Sequence, residues 1–195
     1  METLSDYRKY KWFYTSSGKL VVGGKNADQN DELLHLMKKQ GKDFFVMHTS
    51  SPGSPFSVIL SEVKKVKKSD LKECATFTGC FSKAWKSGNK SSKIDIFKLS
   101  QLHKNKIMKS GTWSVVGKVD HQEIEFKLAL TTQEKLLRAV PESTVKDKSQ
   151  ILLKICPGSI DKKDIIPKLQ IELHEAFSEN EILSALPAGG ISICR

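Results

Sequence analysis

The feature that most narrows the fold is a strand, turn, strand, turn, helix pattern near the start of the chain. Lys11-Trp12-Phe13-Tyr14-Thr15 and Lys19-Leu20-Val21-Val22-Gly23 are runs of strand-forming residues, and Ser16-Ser17-Gly18 between them is turn chemistry. Together they predict a hairpin. Gly23-Gly24 then leads to Asn26, whose short side chain suits a helix N-cap. Asp28, Asp31 and Glu32 favour the positive end of that helix. Leu33, Leu34 and Met37 give it an apolar stripe, and Gly41 ends it. A hairpin that feeds directly into an amphipathic helix implies an α+β fold with a mainly antiparallel sheet.

The rest of the first two thirds fits that class. Asp43–His48 and Phe56–Leu60 read as strands, with the loop Ser50-Ser51-Pro52-Gly53-Ser54-Pro55 between them. Ser69-Asp70 is expected to cap a helix running to about Ala84, with Leu71, Ala75, Phe77 and Thr78 inward. Ser87-Gly88-Asn89 breaks the chain. Residues 93–99, 103–108, 112–116 and 121–130 are strand-like, the last with Ile124, Phe126 and Leu128 on one face.

Beyond residue 130 the expectation is different. Thr131 reads as the cap of a short helix ending near Arg138, before Pro141. Ile151–Ile155 reads as a strand and Pro157-Gly158-Ser159 as a turn. Asp161 opens a helical pattern through Ile165, Leu169, Leu173 and Phe177. Glu179–Leu186 reads as another helix and Ile191–Ile193 as a last strand. This is a small β-α-α-β extension, with little core of its own and so expected to dock on the first part. The domain organisation expected is residues 1–130 followed by residues 131–195.

Charge points toward a polyanionic partner. The chain of 195 residues has a net charge of +10, and residues 62–109 hold 13 Lys against 4 acids. Residues 131–195 balance at 9 against 9. A concentrated basic field attracts nucleic acid, the commonest cytosolic polyanion. The opening Met1-Glu2-Thr3-Leu4-Ser5-Asp6 lacks the basic start and apolar stretch of a secretory signal. No run is apolar enough to span a membrane. Cys74, Cys80, Cys156 and Cys194 form no C-x-x-C pair and no zinc spacing, so reduced thiols in a cytoplasmic protein are expected.

Several segments in order resemble the NFACT-R (NFACT RNA-binding) domain family. Trp12-Phe13-Tyr14-Thr15-Ser16-Ser17-Gly18-Lys19-Leu20-Val21-Val22-Gly23-Gly24-Lys25-Asn26-Ala27-Asp28-Gln29-Asn30-Asp31 is similar to that family's opening, W-F-x-[ST]-S-x-G-x-L-V-[IV]-G-G-[KR]-[DN]-A-x-Q-N-[DE]. Cys74–Lys86, with Ser82, Ala84 and Trp85, resembles its A-x-x-[AC]-x-[SY]-x-A-W helix. Lys109-Ser110-Gly111-Thr112-Trp113 and Val116-Gly117-Lys118 resemble its T-G-[ST]-[FW]-x-[IV]-x-G-K segment. The resemblance covers roughly residues 7–130 and reads as a standalone member with a C-terminal extension. It implies binding of RNA, with tRNA or ribosomal RNA and the ribosome as partners, in translation or ribosome-associated quality control. The family's V-H-A-D-x-H-G appears here as Met47-His48-Thr49-Ser50-Ser51-Pro52-Gly53. The first His is kept, and Ser50 and Pro52 stand where the family has Asp and a second His.

The candidate RNA-binding residues follow. Gly23, Gly24, Lys25 and Asn26 lie between a strand and a helix N-terminus, where free N–H groups can cradle a phosphate. A tight turn needing glycine is the structural alternative. His48 ends a strand beside a Gly/Pro/Ser loop, where a neutral imidazole can bond a base or phosphate. Trp85, between Lys83 and Lys86, is the stacking candidate, whereas Trp12 and Trp113 read as core. Lys64, Lys65, Lys67 and Lys68 form one basic run, Arg8, Lys9 and Lys11 another, and Lys109 and Lys118 complete the set. If the two runs share a face they form a positive groove. No catalytic residue, metal or cofactor is assigned, because the partners a general base at His48 requires are missing from its motif. Two other readings stay open: an RNA-modifying enzyme using a pocket around His48, and a protein-interaction adaptor using residues 131–195.

Overall fold

A computed structural model describes residues 4–194. Met1-Glu2-Thr3, the first half of the opening segment that lacks signal character, and Arg195 lie outside the described residues. The expected hairpin and helix are present as β1 (Lys11–Tyr14), β2 (Leu20–Gly23) and α1 (Ala27–Lys39). The Asn26 side chain accepts from the Gln29 N–H at 2.9 Å, as an N-cap does. There follow β3 (Phe44–Thr49), β4 (Ser57–Glu62), α2 (Lys68–Cys80), α3 (Lys83–Lys86) and β5 (Ser91–Lys98). The short β6 (Leu102–His103) and β7 (Ser114–Val115) pair with each other, and β8 (Asp120–Glu125) closes this part.

The main sheet has the order β1-β2-β4-β3-β5-β8 with every pairing antiparallel. Strands β1 to β4 carry buried residues on both faces, and the period of two assigns each residue to a side. Trp12, Val22, Val46 and Val58 meet Leu33, Leu34 and Met37 of α1. Phe13, Val21, Met47 and Ile59 meet Cys74, Ala75 and Phe77 of α2.

A second sheet, β10-β9-β11-β12, packs on the α2 side. Its strands are β9 (Leu128–Gln133), β10 (Leu136–Val140), β11 (Leu153–Asp161) and β12 (Gly190–Cys194), with α4 (Ile166–Glu172) and α5 (Glu179–Ala185) between the last two. The molecule is therefore α+β and mainly antiparallel, and β11-α4-α5-β12 is the β-α-α-β unit read from sequence. The expected boundary near residue 130 falls inside β9. One continuous core joins residues from both sides of it, from Phe13 to Ile191.

Several local expectations are corrected. Residues 131–138 are not a helix. Thr131 donates its hydroxyl to the Gln150 carbonyl at 2.8 Å, and β9 and β10 form a hairpin whose turn residues, Glu134 and Lys135, have φ of 51° and 63°. That left-handed pair matches the twist of two-residue hairpin turns. The helix read as 69–84 is split: α2 ends at Cys80, and Ser82 caps the separate α3 by accepting from the Ala84 N–H. Residues 103–108 leave the strand after His103, because the Asn105 side chain accepts from the N–H groups of Ile107 and Met108 and turns the chain. Of residues 112–116 only Ser114–Val115 pairs. Residues 121–130 divide into β8 and β9. Pro157-Gly158-Ser159 is a bulge inside β11 rather than a turn, with the register shifting between Pro157 and Ile160. The helix expected from Asp161 begins only at Ile166.

Candidate functional site

At the end of the main sheet where β2 and β3 finish and β4 begins, a cleft of about 690 Å³ opens. Four segments distant in sequence build it: the turn into α1, the β3–β4 loop, the Phe81–Lys86 segment and the loop before β7. Asn30 fixes the first two together. It is buried, its Oδ1 accepts from the Phe56 N–H at 2.9 Å, and it packs so closely on Gly24 that any Cβ there would lie 2.3 Å from Oδ1 and 2.6 Å from its backbone N. Gly53 (φ 113°) fixes the third, accepting at its carbonyl from the Lys83 N–H at 2.7 Å.

Asp31 holds the fourth. Its carboxylate accepts from Lys104 Nζ at 2.7 Å, Trp113 Nε1 at 2.7 Å and the Gly111 N–H at 3.1 Å. Burial works against its charge, yet these three donors hold its pKa below the usual carboxylate value. Sequence reading did not single out Asn30 or Asp31 as site builders, although both lie in the matched opening segment.

The cleft is cationic. Lys11, Lys25, Lys83 and Lys86 line it, and none has a carboxylate partner among the described residues. The Lys11 ammonium lies 4.4 Å from the centre of the Phe81 ring. Burial pushes its pKa down to about 8, and the like charges of Arg138, Lys162 and Lys25 act in the same direction.

His48 lies on the aromatic side, its ring 4.5 Å from that of Phe56. Its Nδ1 is 2.7 Å from the Thr49 carbonyl, which can only accept, so Nδ1 carries the proton and Nε2 is the acceptor of the neutral ring. Burial lowers the His48 pKa and favours that neutral form. Directly across the β3–β5 pair from His48 is Asp95, which accepts from the Ser50 hydroxyl and from Nδ1 of His121 at 2.8 Å. Another strand thus brings a carboxylate to the cleft beside His48, bonded to Ser50 and His121 and not to the His48 ring. No sequence signal near residue 48 could have shown it.

The structure separates the remaining candidates. Lys11, Gly24, Lys25, Asn26, His48, Lys83 and Lys86 come together in the cleft. Gly23 is spent in sheet pairing with Lys11 and Ser57, and the Lys25 N–H is taken by the Gln29 side chain at 3.0 Å. Gly23 and the Lys25 N–H are therefore used within the chain at this turn. Trp85 is fully buried and donates Nε1–H to the Gly190 carbonyl at 3.2 Å, so it is a core residue with no face for stacking. Arg8 pairs with Glu134 at 2.7 Å and Lys9 with Glu32 at 2.8 Å. Lys64 and Lys65 stand near Glu62 at the far end of β4 from the cleft, and Lys67 and Lys68 open α2 beyond them. Lys11 of the first basic run and Lys64 and Lys65 of the second therefore lie at opposite ends of the sheet. Lys109 offers its carbonyl to Lys104, and the exposed Lys118 lies 3.9 Å from Asp120.

Residues beyond 130 also reach the cleft. Ala188 lines it, and Gly189 packs against the backbone of Lys86.

The chain is 28% identical over 97% of its length to the archaeal Rqc2 homolog aRqcH of Methanocaldococcus jannaschii, and it spans 29% of that relative. It superposes with a TM-score of 0.51 on the C-terminal part of the fibronectin/fibrinogen-binding protein from Streptococcus suis, at 23% identity over 64% of this chain and 47% of that one. At that identity the likeness is one of fold. The profile of the NFACT protein RNA binding domain matches residues 9–117, more than half of the chain, and the chain belongs to that family.

Proposed function

We propose that this protein binds structured RNA, tRNA or ribosomal RNA, and acts in the cytoplasm in translation or ribosome-associated quality control. The observation that carries the reading is the cleft itself: four lysines without carboxylate partners among the described residues converge on one concavity in a domain of an RNA-binding family. Lysines in that state exchange their counterions for phosphates. The relative described as an archaeal Rqc2 homolog supports the link to quality control. Residues 1–130 supply the lysines that line the cleft, and residues 131–195 act as a docked extension that closes its rim. Among the described residues no helix is long and apolar enough to cross a membrane.

The enzyme reading gains one observation, the Asp95 carboxylate facing His48. It loses another, because His48 commits Nδ1 to the Thr49 carbonyl and so lacks the base–carboxylate pair of an oriented general base. Binding is therefore the preferred reading. Crosslinking in cells followed by sequencing of the bound RNA tests it. Enrichment of tRNA or ribosomal RNA is expected, and a protein that crosslinks to no RNA contradicts the reading. A modified nucleoside that appears on incubation with cellular tRNA, and vanishes with His48→Ala, would transfer the case to the enzyme.

A further inference from the structure

Two chemistries meet in the cleft and come from opposite faces of the sheet. Lys11, Lys83 and Lys86 arrive from the side covered by α2, with Phe81 beneath Lys11. His48, Phe56, Phe97 and Trp113 arrive from the side covered by α1. A cationic wall thus faces an aromatic wall on which Nε2 of His48 is a hydrogen-bond acceptor, with the Asp95 carboxylate beside it. The volume of about 690 Å³ lies in the range of roughly 300–1,000 Å³ typical of pockets for single small ligands. An A-form duplex is read across a wide, shallow minor groove, which a concave socket does not meet.

We propose that the cleft is a socket for one unstacked nucleotide of an RNA chain together with its phosphate, either a 5′-phosphorylated end or a flipped-out residue. The inference rests on the RNA reading above for the polymer, but the recognition unit is a nucleoside monophosphate. The phosphate takes the place of the missing carboxylate among Lys11, Lys25, Lys83 and Lys86. The base lies toward His48, which accepts from an N–H or O–H of the nucleoside. Arg138 and Lys162, whose charges act on Lys11, make residues beyond 130 part of the electrostatics of the site.

The test uses the whole chain and two sets of probes. Titration with AMP, GMP, CMP and UMP, followed by NMR of the His48 ring and the Trp113 indole, should shift both signals saturably. The corresponding nucleosides should bind at least about tenfold more weakly, because they offer no phosphate for charge-assisted bonds. Lys83→Ala with Lys86→Ala, both exposed positions, should weaken the monophosphates similarly. Lys64→Ala with Lys65→Ala should not. In the second set, a single strand or a bulged duplex should compete better than a blunt duplex of equal charge. A gain from 5′ phosphorylation identifies an end, and a gain from the bulge identifies a flipped residue. Monophosphates that shift neither signal, with tRNA still bound, overturn the socket and leave the RNA reading standing. Monophosphates that bind while no RNA does uphold the socket and overturn the RNA reading.

Discussion

Lys11 shows how one residue records the function of its surroundings. An ammonium withdrawn from water without a carboxylate destabilises the fold, and its pKa of about 8 expresses that cost. The folded value lies below the ordinary 10.5, so between about pH 8 and pH 10.5 the unfolded chain binds more protons and stability rises with pH. Lys11→Gln should therefore be more stable than the wild type at pH 7, with the gap closing by pH 10.5. Thermal unfolding at both pH values checks this, and an equal gap at both would contradict it. Bound RNA restores the charge, so the same substitution should weaken binding at pH 7, and wild-type affinity should fall as pH rises through 8. His48 works differently. It is neutral and offers one acceptor, so His48→Ala should cost about 1 kcal/mol of RNA affinity, the worth of one ordinary hydrogen bond. A loss of all binding by a folded His48→Ala protein would instead point to a catalytic or structural role.

Among the elements, the β9–β10 hairpin has a task that its sequence conceals. β1 is an edge strand, and its outward backbone groups need partners. The Gln133 amide accepts from the Tyr14 N–H at 2.7 Å and donates to the Tyr14 carbonyl at 2.9 Å, while Arg138 donates to the Trp12 carbonyl at 2.6 Å and stacks on the Trp12 ring. Gln133→Ala and Arg138→Ala should each destabilise by about 1–3 kcal/mol, the cost of stranding these groups, measured by denaturant unfolding. The strands of the main sheet were legible because short runs of strand-forming residues and the Ser16-Ser17-Gly18 turn are local signals. This hairpin was not, because Glu134-Lys135 lacks the Asn-Gly chemistry that marks such turns. Half of the cleft was legible for the same reason: Lys25, Asn26 and His48 lie in matched motifs. Asp95 and Ala188 reach it only through pairing and packing between distant segments. Asp31 is the latch on the loop before β7. Asp31→Asn should speed amide exchange of the Gly111 N–H by loosening its acceptor, and unchanged protection across residues 104–113 would refute that role.

For the whole molecule, net charge and the charge that acts are different quantities. Lys+Arg number 32, but Arg8, Lys9, Lys64, Lys65 and Lys104 lie within ion-pair distance of carboxylates. The cleft concentrates cations without such partners, at the opposite end of β4 from the basic run that dominates the sequence. The most direct test compares the salt dependence of RNA affinity for two quadruple variants. One replaces Lys11, Lys25, Lys83 and Lys86, and the other Lys64, Lys65, Lys67 and Lys68. Each phosphate that is no longer neutralised takes roughly 0.7–0.9 from the log–log slope. The slope for the cleft variant should drop by about 1, for the one phosphate the four lysines share, with most of its affinity gone near physiological salt, and the other variant should change distinctly less. A cleft variant with unchanged slope and affinity, or the larger drop falling on the Lys64 to Lys68 variant, would contradict the account.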